Sequence, residues 1–185
     1  FSGIEGHLFG GALKAAVTVK WDGNISADGE LTLKGADVGQ VLAAYTRDFV
    51  ASGTLETSMK FTAQGATPDE LFAAPRVTAT FTLQKGTLNN VDLVRAIQAA
   101  SRSGQRGGKT QYTEITGEAQ SAGNRIAYRN LKLAAGPLNA NGTLDIAATG
   151  ELTGRLAVTF GTQAAAVARG ALTVGGAVKD PLLSQ

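Results

Sequence analysis

The stretch RVTATFTLQKGTLNNVDLVRAIQAAS, residues 76–101, predicts a strand, a turn and a short helix in succession. Apolar and polar residues alternate at its start, and this period of two indicates a strand with one apolar face. Lys85-Gly86 breaks the alternation and predicts a turn. After Asn90, which can cap a helix, apolar residues recur every three or four positions, as they do along a helix face. We expect this strand-turn-helix unit to organise the fold.

Residues 30–45, ELTLKGADVGQVLAAY, carry a weaker copy of the same unit. An alternating stretch, a turn at Lys34-Gly35 and a capping residue at Asp37 follow one another in the same order. The helix that follows is predicted to run roughly from Val38 to Arg47, with its apolar residues on one face. The two copies make a weak internal repeat.

Other local signals place further turns and one more helix. Asp22-Gly23-Asn24 and Asp28-Gly29 each predict a hairpin turn. The run Thr67-Pro68-Asp69-Glu70 predicts a helix start, because it supplies a capping hydroxyl, a proline at the first helical position and the acidic residue of a capping box. Pro75 predicts the end of that helix.

The last part of the chain reads almost entirely as strand. Five alternating stretches follow residue 110, and a skipped residue near Arg129-Asn130 predicts a bulge in the second of them. They are centred on residues 115–119, 126–135, 138–146, 152–160 and 172–178.

These elements predict a single α+β domain, residues 1–185, dominated by a curved antiparallel meander with about three short helices packed on it. A mixed strand and helix half covers roughly 1–103, a flexible basic loop roughly 101–110, and a strand-rich half roughly 111–180. Three short helices cover only part of one sheet face. The remaining apolar face would form a core, an interface or a lipid-binding groove.

The composition excludes several classes of protein. Charged residues make up 17% of the chain and hydrophobic residues 43%, which argues against a disordered tail. The formal net charge is +2, the basic residues are scattered and aromatic residues are 6%, so we predict no binding to nucleic acid. The chain has no cysteine, which excludes disulfides and thiolate metal sites. It contains no apolar run long enough for a transmembrane helix and no recognisable signal peptide.

No catalytic or cofactor site is predicted. Ser103–Thr110, SGQRGGKT, differs by one residue from a phosphate-binding loop, but it follows a helix and precedes a strand, which reverses the context that such loops require. His7 is the only histidine and reads as an exposed loop residue. Carboxylates such as Asp69 and Asp145 lie at turns or caps, where backbone hydrogen bonding explains them. We therefore predict no enzyme activity, no metal site and no nucleotide site.

Four segments together resemble the C-terminal region of the AsmA family. They are Phe9-Gly10-Gly11, LKGADVGQVL at 33–42, KGTLNNVDL at 85–93 and VGGAVKDP at 174–181, and they occur in the family's order over nearly the whole chain. AsmA-like proteins are bacterial envelope proteins, usually anchored in the inner membrane by an N-terminal helix. They are similar to TamB-like and other bridge-like lipid transfer proteins, which have a repeated β-groove.

The resemblance implies a non-enzymatic periplasmic domain that binds or guides phospholipids between the inner and outer membranes, in service of outer-membrane lipid homeostasis. Its partners would be phospholipid acyl chains, neighbouring segments of a longer protein, and the inner membrane through an anchor upstream of these residues. The alternative is a structural or interaction module that regulates outer-membrane protein assembly without binding lipid. The candidate lipid-facing residues, all on the late strands, are Leu144, Ile146, Leu156, Val158 and Phe160.

Overall fold

The computed structural model describes residues 3–45, 51–99, 104–161 and 166–185. One antiparallel sheet of eleven strands dominates it, and the strands lie side by side in the order in which they occur along the chain. The strands are β1 (Ile4–Leu8), β2 (Gly11–Asp22), β3 (Asn24–Asp37), β4 (Ala51–Gly65), β5 (Arg76–Asn89), β6 (Lys109–Ala122), β7 (Arg125–Ala135), β8 (Leu138–Ile146), β9 (Leu152–Gly161), β10 (Ala166–Ala177) and β11 (Asp180–Ser184). The helices are α1 (Val38–Tyr45), α2 (Pro68–Ala73) and α3 (Leu93–Gln98). The predicted β-dominated α+β meander is confirmed.

Two predicted turns lie inside long strands and are wrong as turns. β3 continues through Gly35 and β5 through Lys85, and both residues have positive φ, at 75° and 51°. The pairing register with β4 shifts at both places. Each Lys-Gly pair is therefore a bulge, which lengthens the strand by one residue instead of reversing the chain.

A third predicted turn, at Asp28-Gly29, is also wrong, because β3 is unbroken there. Gly29 pairs with Val17 on one side and with Phe61 on the other. The turn at Asp22-Gly23-Asn24 is confirmed, with Gly23 at a φ of 77°. The predicted bulge near Arg129-Asn130 is confirmed as well, since the register between β7 and β8 shifts between Tyr128 and Leu131.

The helix caps explain where the short helices begin. The Asp37 carboxylate accepts a hydrogen bond from the backbone N–H of Gln40 at 2.8 Å, as predicted for α1. The Thr67 hydroxyl accepts from the Glu70 amide, which confirms the predicted start of α2. For α3 the predicted cap, Asn90, is wrong. Asp92 caps that helix instead.

The predicted end of the first helix is not tested by the structure. α1 is described as far as Tyr45, and Arg47, the predicted end, lies outside the described residues.

Alternation gives the sheet one apolar face and one polar face. In one row of cross-strand neighbours, Ala15, Leu31, Met59, Ala79 and Ala119 follow one another from β2 to β6. The row continues through Tyr128, Leu144, Gly154 and Val174 as far as β10. The residues between them along each strand point to the other face, which is rich in threonine, lysine and glutamate.

The apolar face is buried to different extents in the two parts of the sheet. Over β6–β11 it forms the larger core, and α3 packs on that core with Leu93, Ala96 and Ile97 buried. A smaller core lies at one end of β3 and β4, where Leu71 of α2 packs on Ile25 and its neighbours. These contacts divide the face into a covered part and an open part.

Candidate apolar binding face

The open part of the apolar face lies on β2–β5 and is called here the open face. Its middle row contains Leu31, Met59 and Ala79, which are half-buried and belong to neither buried core. α1 joins β3 to β4 at one end of these strands, and α2 joins β4 to β5 at the other. The open face is therefore flanked by two short helices.

Aromatic rings on the apolar face lie flat against glycine backbone. A Cβ atom at Gly29 would lie 2.8 Å from the Phe61 ring, and one at Gly117 would lie 2.9 Å from the Phe81 ring. Both glycines are therefore needed to let the rings rest on the sheet. Phe81 also meets Tyr128 edge to face, with 5.9 Å between ring centroids. The rings therefore protrude little from the apolar surface.

The Thr57 hydroxyl, which is buried within the open face, is satisfied internally. Thr57 pairs with Leu33 on one side and Phe81 on the other, and it is 8% exposed. Its hydroxyl donates to the carbonyl oxygen of Thr80 at 2.9 Å. Because the hydroxyl already has a partner, Thr57 does not make this position a polar contact site.

The apolar face becomes more exposed toward the first two strands. Val19 is 53% exposed and Trp21 is 76% exposed, and both lie on the same face of β2 as Val17. Ile4 and Leu8 on β1 are also exposed, and their pairing with Ala15 and Gly11 places them on the same face. We call these residues the apolar rim. An exposed apolar rim beside a half-buried surface is the pattern of an interaction site.

The predicted lipid-facing residues lie in the covered part of the sheet. Val158 is fully buried in the larger core. Leu144, Ile146, Leu156 and Phe160 are partly buried and pack against that core. The structure brings all five together on neighbouring strands β8 and β9.

Sequence reasoning overlooked Leu31, Met59 and Ala79 as candidates. Their alternation was visible in the sequence, but it has the same period as the strands that α3 covers. Only the position of the helices distinguishes covered from open apolar residues.

The polar face carries concave spaces as well. Two neighbouring depressions of about 430 Å³ each lie over β3–β7. Thr32, Ser58, Thr80 and Glu118 line both of them. Asn130 donates to the Glu118 carboxylate at 3.0 Å. Hydroxyl and charged residues make up most of the first lining. The second depression is lined by such residues together with Leu31, Met59, Ala79 and Ala119.

Several charged side chains form ion pairs at the surface. Lys14 holds the pKa of the exposed Glu5 carboxyl below its usual range, through a hydrogen bond of 2.9 Å. Arg129 and Asp145 make a second pair, at 2.8 Å. Burial raises the pKa of the Tyr128 hydroxyl. Among the described residues, no group of three or more His, Cys, Asp or Glu side chains is arranged to hold a metal ion.

No described helix is a candidate membrane span.

Comparison of the chain with models of protein families, with curated proteins and with solved structures finds no match.

Proposed function

We propose that this domain binds or guides phospholipid acyl chains on its open face, and that it does so without catalysing a reaction. The observation that carries the proposal is the continuous apolar surface whose middle, on β2–β5, is half-buried and lies outside both buried cores. The row of Leu31, Met59 and Ala79 crosses this region, and Trp21 extends the apolar surface to the end of β2.

The physical chemistry of acyl chains suits such a surface. Burying a methylene group is worth about 0.8 kcal/mol, so covering ten of them gains about 8 kcal/mol before the entropic costs of binding. The open face is four strands wide, about 14 Å at the usual strand spacing. The surface needs no polar specificity, and this is consistent with a buried Thr57 hydroxyl that already has a partner.

The proposed biological setting follows from the resemblance to the AsmA family. In that setting the domain is a periplasmic part of an envelope protein anchored in the inner membrane. It would serve phospholipid movement between the two membranes. The order of the four resembling segments and the meander topology support this setting.

A second candidate is a structural or interaction module that influences outer-membrane protein assembly without binding lipid. One observation favours it: the larger core, including Val158 and Leu172, is closed beneath α3. Under this alternative the open face and the apolar rim would contact protein instead of lipid.

The experiment that separates the two candidates is native mass spectrometry with lipid extraction, on protein purified without detergent. Met59→Asp places a charge in the middle of the open face. Ser58→Asp places the same charge on the adjacent residue, which is exposed on the polar face. We expect co-purifying phospholipid with the wild type and Ser58→Asp, and none with Met59→Asp.

Circular dichroism provides the control for folding in both variants. If the folded wild type carries no lipid, or if folded Met59→Asp carries as much as the wild type, the proposed lipid site is wrong.

A further inference from the structure

The first of the two depressions on the polar face lies between two rows of side chains that cross the sheet. One row consists of cross-strand neighbours on β3 to β6, namely Thr32, Ser58, Thr80 and Glu118. The other row consists of such neighbours on β3 to β7, namely Lys34, Glu56, Thr82, Thr116 and Lys132. The depression is therefore a trough that runs across the strands, and we call it the polar trough.

The floor of the polar trough is backbone. Four residues of its lining stand between the two rows along their strands, namely Leu33, Thr57, Phe81 and Gly117. Because strand residues alternate, the side chains of the first three point to the apolar face. A ligand in the polar trough would thus meet peptide groups below it and polar side chains on both sides.

The polar trough is long and narrow. Neighbouring strands are about 4.8 Å apart, so the trough extends about 19 Å from β3 to β7. Its two rows are two residues apart along each strand, which separates them by about 7 Å. Each of these strands has a partner strand on both sides. The dimensions suit an extended chain that lies across the strands.

Five hydroxyl groups along the polar trough have no protein partner. Among the described residues, no hydrogen bond is made by the side chains of Thr32, Ser58, Thr80, Thr82 and Thr116. Other hydroxyls of the chain are used internally, as those of Thr57 and Thr110 are, which donate to backbone carbonyl oxygens. A hydroxyl group both donates and accepts, so the five suit a ligand whose groups do the same.

The charges along the polar trough cancel. Its lining carries two ammonium groups and two carboxylates, those of Lys34, Lys132, Glu56 and Glu118. The Glu118 carboxylate is held by Asn130, which donates to it at 3.0 Å. A ligand with many charges of one sign would need the opposite sign in excess, so this lining favours a neutral ligand. The ammonium groups add donors and the carboxylates add acceptors.

We propose that the polar trough binds a neutral linear glycan that lies across strands β3 to β7. The hydroxyl groups of a glycan donate and accept hydrogen bonds, as the lining does. Each ring of such a chain adds a length close to one strand spacing, so successive rings would meet equivalent groups on successive strands. The polar trough lies on the face opposite the open face, and this proposal does not depend on the proposed lipid function.

An NMR titration of the backbone amides tests the proposal. The probes are two neutral linear hexasaccharides, one of β-1,4-linked glucose and one of β-1,4-linked N-acetylglucosamine. We expect at least one of them to shift amides on β4, β5 and β6 along the polar trough, and to bind at least about tenfold more tightly than its monosaccharide, because several rings contribute hydrogen bonds. An ethylene glycol oligomer of similar length should not bind, since it has no donors along its chain. No binding of either hexasaccharide at millimolar concentration, or equal binding of the ethylene glycol oligomer, would overturn the proposal.

Three valine variants locate the site, since valine replaces the threonine hydroxyl by a methyl group and suits a strand. Thr82→Val and Thr116→Val should each weaken hexasaccharide binding about three- to tenfold, through the loss of one hydrogen bond. Thr78→Val is the matched control, because Thr78 is on β5 and on the same face but outside the polar trough. The amide spectrum of each variant reports its folding. Unchanged binding by folded Thr82→Val and Thr116→Val, or equal weakening by Thr78→Val, would show that the glycan does not lie in this trough.

Ionic strength tests the neutrality of the ligand. Salt screens attraction between charges, so the affinity for the neutral hexasaccharide should stay the same as sodium chloride is raised. Dextran sulfate, a polyanionic glycan, should bind no more tightly than the neutral chain. Tighter binding of dextran sulfate that salt abolishes would show that the polar face attracts charge instead of recognising sugar hydroxyls, and would overturn the proposal.

Discussion

Replacing one leucine in the covered part of the apolar face and one in the open part should affect stability very differently. Leu172 is 1% exposed in the larger core. Leu31 lies on the same face but is half-buried and belongs to neither core. Leu172→Ala and Leu31→Ala remove the same three carbon atoms, so the difference between them reports on what covers each residue.

The expected magnitudes follow from burial. For Leu172, three carbon atoms at about 0.8 kcal/mol each give about 2.4 kcal/mol, and the cavity left in a closed core raises the loss to about 3–5 kcal/mol. For Leu31, part of the side chain is already exposed and no closed cavity forms. The loss at Leu31 should therefore be about 1 kcal/mol.

Urea unfolding followed by far-ultraviolet circular dichroism measures both losses. The description of a closed core beside an open face predicts that Leu172→Ala lowers the unfolding free energy by at least about 2 kcal/mol more than Leu31→Ala. Equal losses, or a larger loss for Leu31→Ala, would show that the open face is covered in solution and would refute the division of the sheet.

Three further predictions concern local structure. Gly86→Ala should lower the unfolding free energy by about 1–3 kcal/mol in urea melts, because its Cβ would collide with the backbone carbonyl oxygen of Ser52 and with the Tyr112 hydroxyl; an unchanged midpoint would contradict this close contact. Thr67→Ala should cost about 1 kcal/mol through loss of the α2 cap, and a loss below 0.3 kcal/mol by the same measurement would argue against it. In an NMR titration the pKa of Glu5 should be lower than that of an ordinary glutamate and should rise in Lys14→Met, since Lys14 lowers it. The stabilisation from this pair is thus present at neutral pH and is lost as acid protonates Glu5; a Glu5 pKa that is unchanged in Lys14→Met would exclude the interaction.

The β-dominated fold could be predicted because strand periodicity is a local property. The alternation of apolar and polar residues from Val77 to Leu83 and along the late strands is visible in the sequence, and the structure confirms it. The Lys-Gly signals at Gly35 and Lys85 were misread, because positive φ serves a bulge as well as a turn. The distinction depends on whether a partner strand continues past the residue, and that information is not local.

The candidate site was harder to predict for the same reason. Val158 and Met59 both alternate with polar neighbours, yet Val158 is fully buried and Met59 is only half-buried. The difference arises because α3 reaches across the sheet to β9, β10 and β11. Contacts between a helix and strands so far apart along the chain do not change the alternation of apolar and polar residues in those strands.

Photo-cross-linking with a phospholipid that carries a diazirine on its acyl chain tests the central claim most directly. Peptide mass spectrometry would locate the labelled residues. Acyl chains on the open face predict labels at Leu31, Met59 and Ala79 on β3, β4 and β5, competed away by unlabelled phospholipid. Labels confined to the polar face, at Ser58 or Thr80, or no labelling of the folded protein, would contradict the proposal that this apolar face receives lipid.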